Sequence, residues 1–152
     1  MTVGELFLIL VVGLNFRVSE CQRLYNVSPT PLVGPDNPDK WDSHANEIWI
    51  YEGDELRRFL ADNDMIVICG DRHWQYVSVD DETGLREYAT GSASDAHAGA
   101  WIQGDYRPEY LYVNVVGGFL SVTAERQDGR PTLTLRNHDV DGGVLFEDVL
   151  AR

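Results

Sequence analysis

Apolar positions change their spacing along this chain, and the change marks two kinds of structure. Leu56, Phe59 and Leu60 fall at i, i+3 and i+4 behind the acids Glu52, Asp54 and Glu55. Acids favour the positive end of a helix dipole, so the spacing predicts a helix over residues 52–61. Met65-Ile66-Val67-Ile68-Cys69 is instead a continuous, mostly β-branched run between Asn63-Asp64 and Gly70. That is the pattern of a strand buried on both faces. A shorter strand is expected at residues 23–28, stopped by Pro29 and Pro31, and turn residues then carry the chain as a long loop through residue 39. After Gly70 the texture becomes strand-like over residues 74–79, 85–88, 110–116, 119–126, 132–136 and 144–146. Gly84, Gly129 and Gly142-Gly143 sit in the intervening turns, where hairpins need positive φ. The expectation is an α/β fold whose C-terminal half is an antiparallel meander.

With 152 residues the chain can build one domain and not two large ones. Its 43% hydrophobic and 24% charged composition is that of an ordinary globular protein. Charge narrows the function more: 12 basic against 25 acidic residues give −13, which repels a phosphate backbone and argues against nucleic acid. Two cysteines, Cys21 and Cys69, are too few for a disulfide scaffold, and Cys69 belongs to a buried strand. Residues 6–14 are apolar but too short to span a bilayer, so no integral membrane span is expected. With no basic residue before it and Glu5 beside it, this stretch makes a weak signal peptide; residues 1–22 are a leader or a first element.

Candidate chemistry begins where the buried strand ends. Gly70-Asp71-Arg72-His73-Trp74 puts a carboxylate and an imidazole two residues apart at the carboxyl end of a strand, where α/β sheets bind ligands. Asp oxygen and His nitrogen both suit divalent ions, although a lone Asp-x-His is more often a turn acid beside an ordinary histidine. A second loop, residues 91–99, surrounds Ser94, Asp95 and His97 with small residues; there the Ser94 and Asp95 side chains are expected to cap a short helix. His44 lies in Trp41-Asp42-Ser43-His44, with Asp42 or Ser43 as a similar cap, and His138 beside Asp139 reads as a hairpin contact. The chain has no Gly-x-Ser-x-Gly elbow, phosphate-binding Gly-Lys loop, Gly-x-Gly-x-x-Gly or Cys-x-x-Cys.

Four segments occur in an order that carries a resemblance: Ser28-Pro29-Thr30-Pro31-Leu32-Val33-Gly34-Pro35-Asp36, Glu52 to Leu60, Ile68-Cys69-Gly70-Asp71-Arg72-His73-Trp74-Gln75-Tyr76, and Ser94 to Gly99. Together with Gly117-Gly118-Phe119-Leu120-Ser121-Val122 and Arg136-Asn137-His138-Asp139-Val140, they resemble the C-terminal part of the alkaline phosphatase D-like metallophosphatases, in the calcineurin-like phosphoesterase superfamily. The resemblance covers residues 23–152 and implies a four-layer α/β/β/α sandwich. It also implies a dinuclear centre, of iron and calcium or other divalent ions, that cleaves phosphate mono- or diesters through a metal-activated water.

Carried over residue by residue, the resemblance makes Asp71 and His73 metal ligands and matches Asp42 to a loop acid. Ser94, Asp95 and His97 match a subgroup motif without an assigned role. It implies a phosphate ester substrate and a periplasmic or secreted location. Such enzymes take their remaining ligands from an N-terminal half, for which residues 1–22 are too few. Two ligands do not make a protein-bound centre, which ordinarily needs three or more. The expectation is therefore a C-terminal portion of a hydrolase, inactive without its N-terminal half. The alternatives are a non-catalytic binding module that retains the sheet and acidic loops, or a small secreted β-rich binding domain.

Overall fold

The structure is a computed structural model and describes residues 25–35, 41–100 and 109–151. Residues 1–22, expected to be a leader or a first element, lie outside them, Cys21 included. Strand β1 (Tyr25–Ser28) is followed in the chain by a 3-10 turn (Glu47–Trp49), helix α1 (Ile50–Asp62) and β2 (Ile66–Cys69). Next come β3 (Gln75–Val79), β4 (Arg86–Thr90), a second 3-10 turn (Asp95–His97) and β5 (Tyr110–Asn114). The chain ends with β6 (Phe119–Gln127), β7 (Arg130–His138) and β8 (Val144–Ala151). No helix among the described residues is long and apolar enough to cross a membrane.

Two sheets form rather than one long meander. The first has the order β1-β2-β4-β3-β5, with β1, β2 and β4 parallel and β3 antiparallel to both β4 and β5. The second is the antiparallel meander β6-β7-β8. β4 returns beside β2 because its own residues suit that place: Tyr88 and Ala89 are fully buried, as an interior strand requires. The fold is thus mixed α/β, mostly strands with one α-helix among the described residues.

Alternation along β2 explains the layering. Val67 and Cys69 face α1 and pack with Leu32, Leu60, Trp74, Tyr76 and Ala89. Ile66 faces the other way and packs with Val77, Tyr88, Leu133 and Leu135 between the two sheets. Each fully buried side chain of this kind contributes about 1.5–3 kcal/mol. The described residues therefore make three layers: helix, sheet, sheet. Phe59 departs from the expected helix face, being 59% exposed. At 100° per residue the inward stripe is Gly53, Leu56, Arg57 and Leu60, and Phe59 lies a full step off it.

Several polar groups inside this frame are paired across long sequence distances. Glu87, with no exposed surface, accepts from the backbone N–H groups of Leu32 (2.6 Å), Val33 (3.0 Å) and Gly34 (2.9 Å), and from the Tyr76 hydroxyl (2.7 Å). Arg57, also buried, holds the same loop by donating to the Leu32 carbonyl at 2.6 Å, and pairs with Asp54 and Asp80. Between the sheets, Asp148 on β8 accepts from Tyr88 at 2.7 Å and from Arg86, both on β4.

Gly53 shows how tightly α1 is seated. Alanine at a helix interior normally stabilises it by about 1 kcal/mol over glycine. Here a Cβ at Gly53 would run into the His44 carbonyl oxygen. Gly53→Ala is expected to lower the melting temperature, and thermal unfolding followed by circular dichroism checks this; a rise would mean that the 41–46 loop yields freely.

Candidate metal loop and the neighbouring cavity

Where β2 ends, the chain turns inside five residues. Gly70 N–H donates to the Ser28 carbonyl (3.2 Å), which ties the loop to the end of β1. Asp71 then takes φ of 66°, a left-handed conformation that Asp tolerates better than most residues, and Arg72 N–H closes back onto the Gly70 carbonyl at 2.8 Å. The alternation beyond this turn buries Arg72 and Trp74 and leaves Asp71 and His73 exposed. Arg72 is held between partners: its guanidinium lies 5.7 Å from the Trp74 ring centroid, and Nη1 is 3.1 Å from Asp71 Oδ2. The Asp71 carboxylate is thereby oriented by a neighbour that is itself fixed in the core.

The second loop comes to the first. Gly99 N–H donates to the His73 carbonyl at 2.9 Å, so the segment after β4 crosses the end of β2. Asp95 does not cap its 3-10 turn; its Oδ1 accepts from Gly117 N–H at 2.8 Å. Ser94 does not cap it either, and its hydroxyl lies 2.9 Å from His97 Nδ1. The expected capping fails because Gly117, which lies beyond β5, offers Asp95 a donor that nothing local in the sequence announces. Space allows this only for glycine: a Cβ at Gly117 would overlap the Ser94 carbonyl carbon.

Gln75 joins these loops to the second sheet. It has no exposed surface, and its Nε2 donates to the carbonyls of His138 (2.8 Å) and Gly117 (3.4 Å). Tyr112 donates to its Oε1 at 3.3 Å. The four ends at residues 70–75, 91–99, 115–118 and 138 thus form one bonded cluster. Gln75 is not singled out by the sequence, where its only signal is a polar residue opening a strand of buried ones.

His138 is a hairpin residue, as its place beside Asp139 suggests. Its Nδ1 donates to the Gly142 carbonyl at 3.1 Å, and its Nε2 lies 2.8 Å from Ser121 Oγ. Phe119 stacks on its ring at 4.6 Å.

Asp42 and His44 lie apart, against α1 and β1. Neither Asp42 nor Ser43 caps a helical turn; Asn46 and Trp49 are the cap residues, and neither makes a side-chain cap. Ser43 Oγ donates to Asn46 Oδ1 at 3.2 Å, and His44 Nε2 is 3.7 Å from Glu52 Oε2. Asp42 and His44 help line a cavity of about 390 Å³ that also reaches Ser28 and Pro29. Since the Ser28 carbonyl accepts from the Gly70 N–H, this cavity adjoins the candidate loop from the β1 side.

Beneath the loop is a buried chain of titratable groups. Cys69 Sγ is 3.4 Å from the Tyr76 hydroxyl, which donates to Glu87. Burial pushes the Cys69 thiol well up, and burial also raises Tyr76 and Glu87. For Glu87 the three backbone donors and Tyr76 act against that rise. A protonated thiol is inert as a nucleophile or ligand, so Cys69 is a core residue.

Do these residues fit a metal centre? Asp71 and His73 offer two donors, and among the described residues no three His, Cys, Asp or Glu side chains come together as a protein-bound ion needs. The donor set present does not complete such a centre. Compared with known proteins, the chain matches no family model and no curated protein.

Proposed function

We propose that this chain is the C-terminal portion of a metal-dependent phosphatase of the alkaline phosphatase D-like kind, inactive until an N-terminal half supplies the remaining ligands. The single observation that supports it most is the bond from Gly99 N–H to the His73 carbonyl. It joins two of the segments that carry the resemblance, at the carboxyl end of the parallel strands, where α/β sheets hold ligands. In this reading α1 and the two sheets are three layers of a four-layer sandwich, and the N-terminal half brings the rest. Asp71 and His73 are its contribution to the centre. Asp95 and Ser94 shape the adjoining loop, and Asp42 and His44 border the cavity on the far side of Ser28.

The test is hydrolysis of p-nitrophenyl phosphate by the purified chain with added iron, calcium or manganese. Turnover is expected to stay at the level of the metal ions alone. Robust, metal-dependent turnover by these 152 residues would overturn the proposal.

A further inference from the structure

The cavity beside β1 contains an oddity for a protein interior. Asn26 is 1% exposed, yet neither its Oδ1 nor its Nδ2 has a hydrogen-bond partner. Buried amides are nearly always paired, because a stranded donor or acceptor is costly. Asn26 lies in the cavity wall. Its residue pairing with Val67 turns it toward the α1 side of the sheet, where Leu32 and Leu56 supply apolar wall.

Two tryptophans complete the lining. Trp41 and Trp49 both border the cavity, and Trp49 Nε1 donates to the Trp41 carbonyl at 2.9 Å, which holds the pair together. Both are exposed large aromatics, 71% and 42%, so burial in the core does not explain their presence. Among the described residues, the only charged side chains bordering the space, other than His44 when protonated, are Asp42 and Glu52, on a chain of net charge −13. An anion is therefore disfavoured there.

We infer that this cavity binds a neutral, planar heteroaromatic ring with a hydrogen-bond donor beside an acceptor, the chemistry of a nucleobase, read by the Asn26 amide and flanked by Trp41 and Trp49. The Asn amide offers coplanar donor and acceptor atoms that match such an edge two bonds at a time. Indole faces stack on any such ring without regard to its sequence of substituents. The volume of about 390 Å³ lies within the range of small-molecule sites. The inference goes beyond the phosphatase reading, since binding needs neither a metal nor a second polypeptide.

The experiment titrates the full chain, without metal, with adenosine, cytidine and nicotinamide, reading tryptophan fluorescence and calorimetric heat, with ribose as the control that lacks an aromatic ring. At least one of the three ring compounds should bind below about 1 mM, and ribose should not. Adenosine 5′-monophosphate should bind more weakly than adenosine because of Asp42 and Glu52. Asn26→Leu has the same bulk and removes both stranded atoms, so it should weaken binding at least about tenfold while leaving the melting temperature unchanged or higher. Trp49→Leu, at a partly exposed position, should weaken binding too and serves if Asn26→Leu does not fold. No response to any ring compound at about 10-fold above that limit, or equal affinity in the Asn26 variant, or in the Trp49 variant if that one alone folds, overturns the inference.

Discussion

When an N-terminal half carrying the missing ligand loops is supplied, Asp71→Asn and His73→Ala in this chain should each reduce phosphate-ester hydrolysis at least about 100-fold. The choice of substitutions comes from the geometry. Asp71 has φ of 66°, which alanine adopts poorly and asparagine well, so Asn removes the charge without straining the turn. His73 is exposed, and it is its backbone carbonyl that receives the Gly99 N–H, so truncating the ring leaves the two loops joined. Circular dichroism should therefore match the parent in both, and the melting temperature should match it in His73→Ala, while Asp71→Asn lowers it because the buried Arg72 loses its counter-charge. Retained turnover in both variants would remove Asp71 and His73 from the centre; a lost fold would mean that the loop is structural.

The largest stability effect is expected at Glu87. Glu87→Leu strands three backbone N–H groups and the Tyr76 hydroxyl, at about 1 kcal/mol or more each, a loss of about 4 kcal/mol or more. Glu87→Gln should cost less, about 1–3 kcal/mol, since one oxygen still accepts and Tyr76 can turn toward its amide. That order, Gln better tolerated than Leu, is the result to seek in urea unfolding, because a simple packing role would reverse it. The pH dependence has a definite sign. Burial raises the folded carboxyl above its unfolded value, which lies near about 4.3 in an unstructured chain. The folded state then holds the proton longer, so this contribution is complete below that unfolded value and is lost as pH rises through the folded one. Parent stability should fall across that window more steeply than that of Glu87→Gln, which has no proton to lose.

Particular residues show how much can be read from sequence. β2 is legible because Ile66, Val67 and Ile68 are β-branched, contiguous and bounded by turn residues, all local properties. α1 is legible in its acids and its apolar spacing, but three apolar positions are too few to fix the stripe, and Phe59 falls outside it. The strands after Gly70 are legible as strands; their division into two sheets is not. It depends on β4 returning beside β2, and on Asp148 reaching Arg86 and Tyr88 from 60 or more residues away. Glu87 illustrates the limit most clearly: within Arg86-Glu87-Tyr88 it looks like a solvent-facing strand residue. Its acceptor role comes from Leu32, Val33 and Gly34, more than 50 positions earlier. The same holds at the candidate site. Asp71 and His73 stand out from a short motif, whereas the Gln75 hub and the capture of Asp95 by Gly117 need the assembled chain.

One measurement bears most directly on the proposed function: hydrolysis of p-nitrophenyl phosphate by this chain mixed with an N-terminal metallophosphatase half, each inactive alone. Metal-dependent turnover is predicted to appear only in the mixture. A mixture that associates and binds metal yet stays inactive, or turnover by this chain alone, would contradict it.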